Sequence, residues 1–369
     1  MSFRIHPVMN IIIMIFMTFQ QNLIHWFRAN QRPLPWRKHY EPYEVWVSEI
    51  MLQQTQMDTA LPYFKRWMKA FPTIGALAKA DSKKVLKLWE GLGYYSRARN
   101  IHESAKHLVQ KNGGVFPQEY EKILSIKGIG RYTAGAIASI AFNEDRPIVD
   151  GNILRVLSRV YAISKPIDVE KNKELFWKLQ ERLIPRGGAR EFNQALMELG
   201  ALVCSKQDPA CALCPVRGFC KAFKTKTPEN YPVKSRKKEM VKVEAAALVL
   251  EKNKKYLIRL RPVGKIMGGL WEFPEWKLSR NRTLSPAQVR NKTARLAEKE
   301  FSFGFEAIRP VGTIKRNYTH HLETLHVFKA EKFEEKTGPK TGWVSRWISK
   351  KEFVEYPFSS AHAKIAAML

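Results

Sequence analysis

Leu124-Ser125-Ile126-Lys127-Gly128-Ile129-Gly130-Arg131-Tyr132-Thr133-Ala134-Gly135-Ala136 joins a short helical run to a longer one through two glycines separated by one apolar residue. Glycine tolerates positive φ, so the chain can turn sharply here while Ile129 anchors the turn in a core. The helix that follows begins with backbone N–H groups that lack intrahelical partners, and such groups bind an anion. A dinucleotide loop is excluded. The third glycine is missing, as it also is in Gly91-Leu92-Gly93-Tyr94-Tyr95-Ser96, and neither stretch follows a strand.

Outward from this joint, apolar residues recur every three or four positions from 19 to 219, clearest in 45–67, 85–92, 101–109, 133–142 and 193–203, which predicts an all-α half. Residues 221–242 carry eight Lys or Arg with two Pro and little periodicity and read as an extended basic linker. Beyond it, 243–250 and 256–261 are β-prone runs around a hairpin signal at 251–255, 285–301 has helical spacing, and strand-like runs recur at 313–318, 322–329 and 342–348. The second half, 243–369, is expected to be an α+β domain.

Composition supports this division. The chain has 369 residues, 45% hydrophobic and 11% aromatic, enough for two cores and unlike collagen, coiled coil or a disordered chain. Lys and Arg total 63 against 34 Asp and Glu, a net charge of +29 that makes a polyanion, nucleic acid foremost, the expected partner. Val8 to Phe19 is an apolar run of 12 residues, too short to span a bilayer and followed by no small-residue cleavage site. Residues 1–18 therefore read as an extension outside the fold, with Met17 a candidate start, in a protein of the cytoplasm and not of the membrane.

All four cysteines fall in Cys204-x6-Cys211-x2-Cys214-x5-Cys220. Clustering within 17 positions does not suit a disulfide framework. It suits a cage for one metal centre, either a zinc ion or an iron–sulfur cluster, with zinc sites more often built from two short Cys pairs. Two carboxylates also stand out. Glu49 sits among large apolar neighbours near the start of a helix, where desolvation raises its pKa toward that of a general acid. Asp150, in Ile148-Val149-Asp150-Gly151-Asn152, enters another helix as a cap or as an ionised stabiliser of positive charge. His102 and His107 are five apart rather than four, which spoils a zinc-protease face, and they read as surface residues.

The Gly128–Gly130 joint resembles the helix-hairpin-helix motif, with Lys127 where Pro often stands. The cysteine spacing resembles the cluster loop of endonuclease III-like glycosylases. With Leu34-Pro35-Trp36-Arg37, Glu49-Ile50-Met51-Leu52-Gln53-Gln54-Thr55, Trp89 to Arg97, Val149-Asp150-Gly151-Asn152 and Gly269-Leu270-Trp271-Glu272-Phe273-Pro274, the chain from Phe19 onward resembles the MutY family of adenine DNA glycosylases. The resemblance implies an all-α helix-hairpin-helix glycosylase domain with an iron–sulfur cluster loop, followed by a Nudix-like α+β domain. It implies excision of adenine mispaired with 8-oxoguanine in double-stranded DNA, by a monomer holding a 4Fe-4S cluster on Cys204, Cys211, Cys214 and Cys220.

By the same resemblance Glu49 is the catalytic acid/base and Asp150 the stabiliser of the sugar cation, assisted by Tyr132 and Asn152. Gln54 and Tyr94 wedge into the duplex, and Arg37, Lys127, Gly128, Ile129, Gly130 and Gln194 contribute to DNA binding. Gln194 stands where some members carry Glu. Tyr318-Thr319-His320 fills the place of a loop that senses 8-oxoguanine. A strand-cleaving relative needs an imine-forming Lys where this chain has Tyr132. Gly269 and Glu275 have the first spacing of a Nudix box, but Thr283 and Leu284 replace its Arg-Glu, and Arg295 to Glu300 lacks the acidic pairing for magnesium.

Overall fold

Thr18 accepts a hydrogen bond from the Gln21 N–H while the Gln21 side chain accepts one from the Thr18 N–H, a capping box that begins α1 (Phe19–Asn30). The computed structural model describes residues 17–235, 239–301, 303–318, 320–330, 333–335 and 342–369. Two packing units result, the chain up to Ala78 with Glu103–Lys237, and Lys79–His102 with Lys238–Leu369. Most of the 1–18 extension lies outside the described residues. Among those described, no helix is long and apolar enough to cross a membrane.

The first unit is helical. It holds α1, α2 (Pro42–Leu52), α3 (Met57–Ala70) and α4 (Ile74–Ala78). After α5 (Ser82–Leu88) and the start of α6 (Ser96–Asn112), it resumes with α7 (Tyr120–Leu124), α8 (Arg131–Phe142), α9 (Gly151–Tyr161), α10 (Glu170–Leu183), α11 (Ala189–Leu202) and the short α12 (Lys221–Lys224). Its core is built on fully enclosed Trp46, Trp67, Phe176 and Phe192. Residues 45–67 are two helices, not the single run their spacing predicts. The chain breaks between them because Gln54 takes φ +57 and the Gln53 amide donates to Thr133 Oγ1 on α8 at 3.1 Å. A tertiary bond there overrides local periodicity.

In α8 a Cβ on Gly135 would lie 2.4 Å from the Pro147 carbonyl oxygen. Mid-helix glycine costs about 1 kcal/mol against alanine, yet its bareness lets the segment leading to Asp150 lie directly on the helix. The basic stretch after Cys220 is not free chain at its start. It forms α12, Val233 O accepts from the Ile167 N–H at 3.0 Å, and the Ser235 hydroxyl donates to Asp168.

The second unit is α+β. β1 (Val241–Lys252) and β2 (Lys255–Leu260) make a hairpin whose corner residues, Asn253 and Lys254, have φ +52 and +59, the backbone of a type I′ turn. There follow β3 (Trp271–Glu272), β4 (Glu275–Arg280), α13 (Pro286–Phe301), β5 (Phe303–Phe305), β6 (Arg309–Tyr318), β7 (His321–Ala330), β8 (Phe333–Glu335), β9 (Ser345–Ser349) and α14 (Ser360–Met368). Among the described residues the main sheet runs β3-β2-β1-β7-β6, with β4 on β1 and β9 on β2. β1 and β7 pair in parallel, whereas the other described strand pairs are antiparallel. Alternation along β1 sends Ala245, Ala247 and Val249 to a core with Phe273 and α14, and Ala246, Leu248 and Leu250 to one with α13. Both faces are covered. His102, expected at the surface, is 5% exposed, because α6 turns this position inward.

Candidate active site

Glu49 lies in the last turn of α2 (Pro42–Leu52), not near a helix start as expected, because the helix already begins at Pro42. α2 carries it inward, to 5% exposure, into a cleft of about 1320 Å³ in the helical unit that is also lined by Tyr132, Asp150, Asn152 and Gln194. Tyr132, in the first turn of α8, donates its hydroxyl to Glu49 Oε2 at 2.8 Å. Among the described residues no Lys or Arg is in ion-pair contact with this carboxyl. Burial pushes its pKa up to about 7, the Tyr132 bond and Arg37 oppose that, and the Asp150 charge adds to it. A buried carboxyl without a bonded cation keeps its proton near neutrality, as a general acid must.

Asp150 is the N-cap of α9. Its Oδ1 accepts from the Ile153 N–H at 2.7 Å and its Oδ2 from the Asn152 amide at 2.9 Å. Burial raises its pKa, while these bonds and the Arg155 guanidinium pull the other way. Asn152 therefore orients Asp150, and its own Oδ1 is held by Arg155 at 2.9 Å. The sequence placed these three residues together; the structure gives each a definite partner.

Arg37 faces inward rather than toward a phosphate. Its Nε donates to Gln194 Oε1 at 2.9 Å and it pairs with Glu198 at 2.9 Å. Gln194 also donates to the Arg190 carbonyl at 3.0 Å, so both ends of its amide are held by protein. Burial alone would raise the Glu198 pKa, but Arg32 and Arg37 hold it at about 2. Sequence reasoning missed Arg32, Gln53 and Glu198. Arg32 and Glu198 stand 166 positions apart, and no local spacing signals such a pair.

The hairpin forms as its glycines predict. Gly128 takes φ +81, Ile129 is 6% exposed, and Gly130 is the N-cap of α8, leaving that helix start open as an anion site. Lys127 pairs with Glu103 at 2.6 Å on the surface. Gln54 and Tyr94 share a conformation that side chains rarely adopt, with φ +57 and +46. Both are exposed, and non-glycine residues held this way cluster at functional sites.

The four cysteines line one small cavity beside Arg159 and Val156. Four soft sulfur donors around one cavity fit a single metal centre of the kind their spacing predicts. Burial and mutual repulsion raise the Cys214 pKa to about 12, so this donor set needs a strongly positive centre to hold thiolates. Arg159 donates to Cys204 Sγ at 3.2 Å.

In the second unit, Glu272, Glu275 and His362 bring ligand atoms within 4.8 Å of one another. The cations there are arginines of the protein. Arg259 and Arg261 pair with Glu272, Arg261 and Arg316 pair with Glu275, and Arg259 also pairs with Glu300. His362 Nδ1 accepts from the Phe273 N–H, which leaves Nε2 facing Glu275 Oε2 at 2.9 Å. Tyr318 ends β6 and pairs with His321, His320 is exposed, and Thr319 lies outside the described residues.

Comparison with known proteins agrees with this anatomy. The HhH-GPD superfamily of base excision DNA repair proteins matches residues 47–182, and a NUDIX domain matches 245–368. The chain is 40% identical over 278 residues to an adenine DNA glycosylase of Buchnera aphidicola subsp. Baizongia pistaciae, covering 74% of this chain and 78% of that protein. It is 32% identical over 404 residues to the adenine DNA glycosylase of Homo sapiens, covering 94% and 73%. It is also 38% identical over 349 residues to that of Arabidopsis thaliana, of which it spans 55%. Among solved structures, a thermostable thymine-DNA glycosylase matches 56% of this chain and 95% of its own, with TM-score 0.52 and 26% identity. With a helical HhH-GPD unit ahead of a Nudix-like one, the chain belongs to the adenine DNA glycosylases of the HhH-GPD base excision repair superfamily.

Proposed function

We propose that this chain hydrolyses the N-glycosidic bond of adenine paired with 8-oxoguanine or guanine in duplex DNA. The observation that carries the chemistry is Glu49, buried, bonded by the Tyr132 hydroxyl and with its pKa pushed up to about 7. The adenine leaves the stack at a cost of a few kcal/mol, offset by phosphate contacts at the hairpin and by insertion of Gln54 and Tyr94. Protonated Glu49 donates to an imidazole-ring nitrogen of the base as the bond from C1′ to N9 breaks, and the electron pair departs with adenine. Asp150 faces the resulting sugar cation and stabilises it or forms an ester with it. Water then adds at C1′ and returns its proton to Glu49, parallel to the two-carboxylate logic of sugar hydrolases. Tyr132 cannot form an imine, so the strand stays intact.

A 4Fe-4S cluster on Cys204, Cys211, Cys214 and Cys220 would tether the loop that follows α11, supplying position rather than protons. Tyr318, Thr319 and His320 would read the oxidised purine, in a monomer working on cytoplasmic DNA. The test is alkali treatment after incubation with adenine:8-oxoguanine, adenine:guanine and adenine:thymine duplexes. Breaks at adenine in the first two, seen only after alkali, are the expected result. Breaks without alkali, or no breaks at adenine in either mispair, overturn the reading. Purified protein should carry about four iron atoms per chain; stoichiometric zinc without iron removes the cluster.

A further inference from the structure

The segment Lys79–His102 packs with the C-terminal half of the chain; Arg99 donates to the Gly268 carbonyl, and one short strap, Tyr356-Pro357-Phe358, makes the denser contact. On one side the Trp271 N–H donates to the Pro357 carbonyl at 2.8 Å, so the strap lies along β3. On the other, three of its backbone groups are taken by the last turn of α5 and the turn that follows it. Lys87 Nζ donates to the Tyr356 carbonyl at 3.0 Å, the Phe358 N–H donates to Glu90 Oε1 at 2.8 Å, and the Tyr95 hydroxyl donates to the Phe358 carbonyl at 3.1 Å. Tyr356 and Phe358 are 5% and 2% exposed. The contact is desolvated.

That same turn carries Tyr94, 52% exposed. Gly91, Gly93 and Tyr94 have φ +101, +71 and +46, a strained run with few backbone bonds of its own. It is fastened by side chains. The Tyr95 hydroxyl also accepts from the Gly91 N–H at 3.1 Å, and Arg97 donates to the Leu92 and Gly93 carbonyls, each at 3.2 Å. The Tyr95 phenol thus joins the turn directly to the strap.

We propose that the Tyr356–Phe358 strap is a positioning element for Tyr94, and that Tyr95 and Glu90 are the residues through which it sets how Tyr94 meets the duplex. This rests on the reading that Tyr94 enters the base stack. The C-terminal unit then contributes to unstacking at the mispair independently of any contact that it makes with the oxidised base. Neither Tyr95 nor Glu90 touches the reacting atoms; both act through the turn.

The test uses the full chain and four variants, Tyr94→Ala, Tyr95→Phe, Glu90→Gln and the double Tyr94→Ala/Tyr95→Phe. The duplex carries an adenine:8-oxoguanine pair flanked by 2-aminopurine, whose fluorescence rises on unstacking, and affinity is measured on a 2′-fluorinated adenosine that resists base loss. Tyr95→Phe and Glu90→Gln are expected to lower the fluorescence change and the affinity by roughly two- to tenfold, the size of one or two hydrogen bonds, while thermal melting keeps its cooperativity. On the Tyr94→Ala background Tyr95→Phe should add nothing, which a merely structural role would not produce. Wild-type values for Tyr95→Phe, or full additivity in the double variant, overturn the positioning role. Wild-type unstacking by Tyr94→Ala has a different signature. It removes the reading of Tyr94 itself and the proposal with it.

Discussion

Glu49 in the helical unit and Glu275 in the β unit are both carboxylates 5% exposed, the latter at its side chain, and burial pushes both pKa values upward, yet they end in opposite states. Glu49 meets a neutral phenol, and its pKa climbs to about 7. Glu275 meets His362, Arg316 and Arg261, and although burial alone would raise its pKa, these partners hold it well below the usual carboxylate range. Burial therefore does not decide what a carboxylate does. The charge of its nearest partners does, and a site becomes catalytic where the protein withholds a cation. In the β unit the positions nearest a Nudix-type acidic pair are neutralised by Arg259 on β2, Arg261 just beyond it and Arg316 on β6. Their result is a buried ion network, which specifies packing rather than chemistry.

If that contrast is right, the two glutamates fail differently when altered. Glu49→Gln should lose about 10²–10⁴-fold in single-turnover base release, the size of a general acid's contribution, while duplex affinity is kept; an unchanged rate breaks the comparison on the catalytic side. Glu275→Gln should leave Arg261, Arg316 and His362 short of a partner and cost about 3–5 kcal/mol of stability in denaturant unfolding. Its folded fraction should still release adenine at the normal rate, and a selective loss of rate with full stability would place Glu275 in the mechanism instead.

The pH dependence sharpens the contrast. Because Glu49 must be protonated, base release should fall as pH rises through about 7, a limb absent from the residual rate of Glu49→Gln. Stability carries the matching sign. The Glu49 pKa is raised in the fold from its ordinary 4.5 to about 7, so its favourable contribution is complete below 4.5 and is lost as pH climbs toward 7. Glu49→Gln should then gain on the parent across that window by at most about 3 kcal/mol, at 1.36 kcal/mol for each unit. The smallest effect belongs to Tyr132→Phe. The phenol's bond favours the ionised carboxyl, so its removal should move the alkaline limb upward by less than about one pH unit, as befits a single hydrogen bond. A downward move would reverse the assigned role of Tyr132.

The two regions were not equally legible in the sequence. Glu49, Asp150, Tyr132 and the four cysteines each lie in a contiguous motif that announces their chemistry, although Glu49 and Tyr132 meet across 83 positions. Arg32 and Glu198 pair across 166 positions, where no spacing rule reaches, and Gln53 finds Thr133 across 80. β4 escaped notice because Glu275–Arg280 contains a single buried apolar residue, Leu278; its alternation is hidden by the buried charges themselves. The strap is likewise invisible, since backbone carbonyls of Tyr356 and Phe358 do the binding and side-chain identity there says little.

Gly135 bears on how this enzyme can change over evolutionary time. With a Cβ at that position only 2.4 Å from the Pro147 carbonyl, even alanine, the commonest conservative replacement and a better helix former, would displace the segment that delivers Asp150. The same helix carries Tyr132 one turn earlier, so the spacing between the two carboxylates' supports is set by a missing methyl group. A lineage can therefore lose adenine excision through a substitution that touches no reacting atom, leaves every motif intact, and passes for harmless in any inspection confined to the cleft.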